Sequence, residues 1–240
     1  MRVLSQAELL RSWEACAGAP EVVRAVTLAA AAAGCGVEEA GELPLGARDA
    51  LLIALRAACF PGDLECLARC PGCGEELEVA VPLSDLRREP APDTEAELTV
   101  GPVRIRFRAL TSRDVLAVVR GDGRFGAARR RLVARCVVAV DGGAAEGDAL
   151  SDEAVAAVAA ALPGLDPQAD IRLDLTCAVC GHGWAAPFDV PAHVWAEVEA
   201  CARGLLSDVH SLARAYGWRE QDILALSPAR RRFYLEASGA

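Results

Sequence analysis

The strongest constraint on the fold of this chain is a pair of cysteine motifs that lie far apart. The motifs read CPGCG at residues 70–74 and CAVCG at residues 177–181. In each, two cysteines three positions apart in a turn after a strand direct both sulfurs at one point. The following glycine permits the backbone bend that turns amide groups toward the thiolates. Since four thiolates are the tetrahedral soft-ligand set that zinc prefers, we predict one structural zinc ion, bound by Cys70, Cys73, Cys177 and Cys180.

Other uses of these cysteines are open at this point. Each pair can form a redox dithiol, although thioredoxin-like sites lie at the start of a helix and not in a hairpin. An iron centre fits the same four sulfurs. Together with Cys66, the first motif also matches the C-x3-C-x2-C pattern of radical S-adenosylmethionine enzymes, but the chain lacks the alternating strands and helices that those enzymes need. His182 is a further potential ligand, which four cysteines make unnecessary.

Composition limits the classes of function. The formal net charge of −9 opposes non-specific nucleic-acid binding, and all 25 basic residues are arginine, which excludes lysine-based mechanisms. No apolar run approaches the roughly 20 residues that span a bilayer, and the N-terminus lacks a signal-peptide core. We therefore expect a cytoplasmic protein without membrane insertion. Disulfides are disfavoured there, so the isolated cysteines are expected to be small buried hydrophobes: Cys16, Cys35, Cys59, Cys136 and Cys201.

Hydrophobic periodicity predicts an α+β fold, with central zinc-ribbon-like β-hairpins and helices before, between and after them. The predicted regions are an N-terminal helical region at 1–62, the first knuckle hairpin and a second hairpin at 63–110, a helical insertion at 111–164, the second knuckle hairpin at 165–190, and a C-terminal helical tail at 191–240.

Several local predictions can be compared with a structure. A capping box at Ser5 and Glu8 predicts the start of the first helix. Residues 87–97 read as a linker, and residues 98–110 as a hairpin that turns at Gly101-Pro102. Residues 125–140 are predicted to be one helix, and residues 121–126 and 141–148 are predicted to be glycine-rich loops.

No catalytic constellation is found, so we do not expect an enzyme. The three histidines lack the H-E-x-x-H spacing, and neither G-x-S-x-G nor a Walker loop is present. A site closed by four cysteines leaves no coordination position for a reactive water. The alternative to be weighed is a zinc-ribbon nucleic-acid-binding or transcription-associated protein, whose support is the alternation of Arg104, Arg106 and Arg108 on one strand face.

The C-terminal tail is rich in large apolar side chains beside an arginine triplet. These side chains either pack on the core or present a surface for a partner, since aromatic residues and arginine are favoured at interface centres. The arginines are either solvated or contact an acidic partner. The candidate partner-binding residues are Trp218, Arg230, Arg231, Arg232, Phe233 and Tyr234.

Two segments resemble a known family. They are residues 45–49 (LGARD), which lead through a helix into the first knuckle, and residues 215–235 (AYGWREQDILALSPARRRFYL). With the paired knuckles, they resemble the T4-type phage baseplate hub assembly proteins, in the form found with contractile phage-tail-like injection systems. The resemblance covers the chain from about residue 40 to its end. It implies a non-catalytic zinc-binding baseplate component or assembly factor (chaperone), whose partners are other baseplate or hub proteins, and which is cytoplasmic or incorporated in the particle.

Overall fold

The computed structural model describes residues 3–89, 91, 93–119, 125–141, 143–144 and 150–239. Within these residues the chain forms ten α-helices and eight strands, and the strands pair in three antiparallel sheets. The predicted α+β class is therefore confirmed. Most of the two glycine-rich loops predicted at residues 121–126 and 141–148 lies outside the described residues.

Four helices open the chain. The first begins with the predicted capping box, in which the backbone N–H of Glu8 donates to Ser5 Oγ and the backbone N–H of Ser5 donates to a carboxylate oxygen of Glu8. The second ends at Gly34, whose φ of +73° suits a residue without a Cβ atom. The four helices are α1 (Gln6–Ala15), α2 (Glu21–Ala33), α3 (Val37–Gly41) and α4 (Leu45–Cys59).

Each cysteine motif forms the turn of a two-stranded hairpin. In the first hairpin Leu64 pairs with Val81, and in the second Arg172 pairs with Pro187. Exposure alternates along these strands, so each hairpin has one face turned toward protein and one toward solvent. The strands are β1 (Leu64–Arg69) with β2 (Glu76–Val81), and β7 (Arg172–Thr176) with β8 (Gly183–Pro187).

The segment between the two hairpins, residues 95–165, contains a four-stranded sheet with helices packed on it, and we call it the insert. The predicted hairpin at Gly101-Pro102 is present. The elements of the insert are β3 (Glu95–Val100), β4 (Val103–Arg108), α5 (Ser112–Val119), α6 (Phe125–Cys136), β5 (Val137–Val140), β6 (Gly143–Ala144) and α7 (Asp152–Leu165).

Two predictions about the insert were wrong. The helix predicted over residues 125–140 ends at Cys136, and residues 137–140 continue as a strand. These four residues include three valines, whose branched side chains favour strands, and β4 supplies the pairing partner, with Ile105 opposite Val140. The predicted linker at residues 87–97 is also shorter than expected, because Glu95 already begins β3.

Two main hydrophobic cores hold the described residues together. The larger core joins α1, α2, α4 and α8 to the base of both hairpins and contains Leu28, Leu52, Ile171 and Val198. The second core belongs to the insert and contains buried residues of β4, α6 and α7. The insert therefore has a core of its own, while chain segments on both sides of it share the larger one.

The chain continues from the second hairpin into three helices, α8 (Val190–Tyr216), α9 (Glu220–Leu224) and α10 (Pro228–Ser238). Asp189 caps α8 by accepting a hydrogen bond from the backbone N–H of Ala192. In the described part of the chain, no helix combines the length and the apolar character needed to cross a membrane.

Candidate metal centre

The first knuckle is a tight turn closed by backbone hydrogen bonds. The N–H of Cys70 donates to the carbonyl oxygen of Glu75 at 2.8 Å, and the N–H of Gly74 donates to the carbonyl oxygen of Cys70 at 2.9 Å. Gly74 has φ +78°, the left-handed conformation predicted for it. The N–H of Gly72 lies 3.4 Å from Cys70 Sγ and donates to it. A backbone amide of the turn therefore faces the sulfur atom of Cys70.

The second knuckle repeats this geometry. The N–H of Cys177 donates to the carbonyl oxygen of His182 at 2.9 Å, and the N–H of Gly181, with φ +72°, donates to the carbonyl oxygen of Cys177 at 2.9 Å. The backbone N–H groups of Cys180 and Val179 point at Cys177 Sγ. The two motifs are thus equivalent in backbone conformation, although their two middle residues differ.

The structure brings the sulfur atoms of the two knuckles together. Cys70 Sγ lies 3.7 Å from Cys180 Sγ, and Cys73 Sγ lies 3.6 Å from Cys177 Sγ. All four sulfurs lie within 4.8 Å of one another. A tetrahedral site with Zn–S bonds of about 2.3 Å has S···S separations of about 3.8 Å. The four predicted ligands are therefore close to the arrangement that a tetrahedral metal ion requires, and the group can hold one.

The pKa values of these thiols depend on the backbone amides and on the neighbouring sulfurs. Hydrogen bonds from the backbone N–H groups of Cys180 and Val179 lower the pKa of Cys177 to about 7. At Cys73 the backbone N–H of Glu75 lowers the pKa, but the neighbouring sulfurs raise it, and the net result is a pKa of about 12. Four thiolates at these distances repel one another, so a divalent cation is required for all four to be deprotonated at neutral pH.

The two knuckles also approach each other at Gly72, a residue that the sequence analysis did not select. A Cβ atom at Gly72 would lie 3.1 Å from both Cβ and Cγ of His182 and 3.6 Å from Cys180 Sγ. His182 in turn stacks on Trp184 and is not one of the four grouped ligands. Gly72 thus allows the hairpins to approach closely. The available signal was the contrast with Val179, the equivalent residue of the second knuckle.

The centre lies at the exposed ends of the hairpins. Cys70 and Cys177 are buried, whereas Cys73 and Cys180 are exposed. Val179, at the tip of the second knuckle, is 67% exposed. The metal-binding group therefore combines two buried and two exposed cysteines at the tips of the hairpins, whereas the larger core packs on the base of the hairpins.

Comparison with protein families gives a match over most of the chain. The family described as T4 bacteriophage base plate protein matches residues 21–185, which is well over half of the 240 residues. The chain belongs to this family. The match runs from the start of α2 into β8, so it includes both knuckles and the insert. No curated protein and no solved structure matches the chain.

The extent of the match differs from the extent of the resemblance described above. It begins at residue 21 and not near residue 40, so α2 is part of the family segment of this baseplate protein. It ends at residue 185, so the C-terminal helices and all six predicted partner-binding residues lie outside it. Membership of the family indicates a structural or assembly role in a phage tail.

The three aromatic residues among the predicted partner-binding residues of the baseplate protein form one cluster. Trp218 stacks on Tyr216 with ring centroids 4.7 Å apart and meets Tyr234 edge to face at 4.9 Å. Phe233, 64% exposed, contacts Tyr234. Arg230 and Arg232 of the same helix α10 are also exposed.

The prediction that Arg231 binds a partner was wrong, because its side chain is buried. It is only 3% exposed. Its Nε lies 2.9 Å from a carboxylate oxygen of Asp208 in α8, and its guanidinium also donates to Gln6 in α1. Arg231 therefore holds α10 against the larger core and is not available to a partner.

Arg104, Arg106 and Arg108 were the support for the alternative of a nucleic-acid-binding protein. In the structure of the baseplate protein, each of them is paired with an acidic group. Nε of Arg104 lies 3.4 Å from Glu97, and Nε of Arg106 lies 3.7 Å from Glu95 across the β3–β4 hairpin. Arg108 contacts the buried carboxylate of Asp114 at 2.7 Å. Because each cation has an acidic neighbour, this strand face does not form the uncompensated basic patch that phosphate binding uses.

Proposed function

We propose that the protein is a non-catalytic zinc-binding baseplate component or assembly factor (chaperone) of a contractile phage-tail-like injection particle. The observation that carries this proposal is the convergence of four cysteine sulfurs from two distant hairpins, inside the segment that matches the base plate family. The partners are other baseplate or hub proteins. No nucleic acid is required.

The metal in this proposal is one zinc ion. Sulfur separations of 3.6 and 3.7 Å suit zinc–thiolate bonds in a tetrahedron. When four protein sulfurs occupy the coordination sphere, no position remains for a water or a substrate, so the proposed role of the metal is structural. This supports a protein that acts by holding its shape and not by catalysis.

Zinc binding would determine where the insert sits. The insert lies between the two knuckles in the chain. A metal ion bound by both knuckles would therefore hold the two hairpins that flank the insert together. Structural zinc contributes about 10–16 kcal/mol of apparent binding free energy in small peptides. A domain has a total stability of about 5–15 kcal/mol, so the metal would contribute a large part of the stability of this arrangement.

The proposed partner surface is formed by α10 and the turn between α8 and α9. It consists of the exposed residues Arg230, Arg232 and Phe233 and the half-buried Trp218 and Tyr234, and we call it the tail surface. Phe233 is the most exposed large aromatic side chain of this group, and burying it against a partner would remove its apolar area from water. Two exposed arginines on a chain of net charge −9 favour an acidic partner surface.

Deletion of the gene tests the proposal. Sheath and tube subunits should still be made, but they should not assemble into intact particles, and a wild-type copy should restore assembly. Mass spectrometry of purified particles then distinguishes the two roles. A baseplate component should be present in the particles, whereas an assembly factor, which acts in the cytoplasm, should be absent from them. Normal, active particles from the deletion strain would rule out both forms of the proposal.

A further inference from the structure

Arg56 is a buried arginine that joins three segments of the chain. It lies in the last turn of α4 and is only 2% exposed. Its Nε lies 3.0 Å from one carboxylate oxygen of Glu197, and a terminal guanidinium nitrogen lies 2.9 Å from the other. The same guanidinium donates to the backbone carbonyl oxygens of Asp63, at 2.9 Å, and of Gly62. One side chain therefore holds a carboxylate and two carbonyl groups at fixed positions.

The segments that Arg56 contacts support the two knuckles. Gly62 and Asp63 directly precede β1, the first strand of the first hairpin. Glu197 belongs to α8, the helix that follows β8 of the second hairpin. Arg56 therefore links the base of the first hairpin to the helix that continues the second one.

A small movement at the base of a hairpin becomes a large movement at its tip. Cys70 lies seven positions after Asp63, which corresponds to roughly 23 Å of extended chain. A tilt of about 5° at the base would therefore displace the first knuckle by roughly 2 Å. A metal site requires its ligand distances to within about 0.2 Å. When the free protein already holds the hairpin at the right angle, less binding free energy is lost in ordering the ligands.

The apolar contacts at the bases of the hairpins do not supply this angular control. Leu64 and Val81 of the first hairpin, and Ile171 before the second, are buried in the larger core. Hydrophobic burial is non-directional, so it holds these segments together without fixing the angle between them. A planar guanidinium is a rigid fork of donors, and its acceptors must lie where the fork points.

We propose that Arg56 is a positioning residue of the metal centre, which orients the first hairpin relative to α8 so that the sulfurs of the two knuckles meet. It acts at the base of the hairpin, through the carbonyl groups of Gly62 and Asp63, and not on the sulfur atoms. This inference rests on the zinc site of the proposed function, but it is independent of the tail surface and of baseplate assembly.

The test is competition for zinc between the full chain and a chromogenic chelator. Arg56→Lys keeps the charge but loses the fork, and it should weaken the apparent zinc affinity about tenfold, at the low end of what loss of a supporting residue costs a metal site. Glu197→Gln, a milder change at a half-buried residue, should weaken it severalfold. Glu199→Gln is its control on the same helix, since Glu199 pairs with Arg203 of α8 itself, and it should keep the wild-type affinity.

A second control separates positioning from general stability. Arg231 is also buried and also pairs with a carboxylate of α8, Asp208, but its other contact is Gln6 of α1 and not a hairpin. Arg231→Lys should lower the urea midpoint of the metal-free protein as Arg56→Lys does, yet it should bind zinc with the wild-type affinity. Equal losses of zinc affinity in the two lysine variants would mean that Arg56 acts only through stability, and the proposal would be overturned.

The outcomes also separate this inference from the proposed function. Wild-type protein that binds no zinc would overturn both. If the wild type binds one zinc ion, and Arg56→Lys and Glu197→Gln bind it equally tightly, the zinc site stands and the positioning role is rejected. Weaker zinc binding in these two variants, with wild-type binding in Glu199→Gln and Arg231→Lys, would support it.

Discussion

Cys73 Sγ lies 3.6 Å from Cys177 Sγ, although 104 positions separate the two residues along the chain. Neither knuckle can complete a tetrahedral site by itself, so the contact between hairpins defines the centre. The residues between these cysteines include the whole insert, with its own core. A local change at the sulfurs should therefore affect a large part of the molecule.

Metal analysis of the purified protein should give one zinc ion per chain. Cys177→Ser should reduce this to none, because three remaining thiolates and a hydroxyl no longer form the soft four-ligand set. Cys35→Ser is the matched control, since Cys35 lies outside the cluster, and it should retain one zinc. A content of two zinc ions per chain, or iron in place of zinc, would contradict the prediction of a single zinc site.

Gly72→Val should weaken zinc binding by at least about tenfold. The added side chain would meet His182 at 3.1 Å and push the knuckles apart. The reciprocal variant Val179→Gly changes the equivalent residue of the second knuckle, which is exposed, and should keep the wild-type affinity. Competition with a chromogenic chelator measures both affinities. Equal affinities for the two variants would show that the contact at Gly72 does not control the approach of the hairpins.

Removal of zinc should lower the melting temperature sharply and make the insert sensitive to protease. The reason is that the metal joins hairpins on both sides of residues 95–165, so its loss releases both ends of that segment. Limited proteolysis with mass spectrometry, with and without a strong chelator, locates the cleavage sites. An unchanged melting curve in protein shown to be free of zinc would mean that the hydrophobic cores alone hold the hairpins.

Asp49 should make a pH-dependent contribution to stability. Burial raises its pKa from 3.8 to about 6, so the folded state binds this proton more tightly than the unfolded state does. As pH rises from 4 to 7, ionisation of Asp49 should lower the free energy of unfolding by roughly 2.4 kcal/mol. The difference in this free energy between wild type and Asp49→Asn, both measured with excess zinc, should decrease by that amount. A difference independent of pH would contradict the raised pKa.

The tail surface and Arg231 should respond differently to substitution. Phe233→Ala should weaken the complex with a baseplate partner without changing the free energy of unfolding, because Phe233 is largely exposed. Arg231→Ala should lower that free energy by about 1–3 kcal/mol, because it removes a buried guanidinium and its hydrogen bonds to Asp208 and Gln6. Urea unfolding and a pull-down with purified baseplate proteins measure the two effects. Loss of stability in Phe233→Ala would place that residue in the core.

The sequence predicted the structure correctly where a conformation depends on interactions between residues that are close in the chain. The spacing of Cys70 and Cys73, and the glycine after them, determine a turn within five residues, so the knuckle was predictable. Residues 137–140 were not, because their strand depends on pairing with β4. The three tail arginines look alike in sequence, and only the packing of α10 on α8 turns Arg231 inward while Arg230 stays exposed.

The order of the two knuckles along the chain sets the time at which the centre can close. During synthesis at about 5–20 residues per second, Cys180 is made roughly 5–20 s after Cys73. Throughout that interval the first knuckle offers only the two thiols of Cys70 and Cys73, too few for a closed site. The insert, which has its own core, is synthesised in the meantime. Completion of the metal site is therefore a late event in the formation of this protein, and it follows synthesis of the insert.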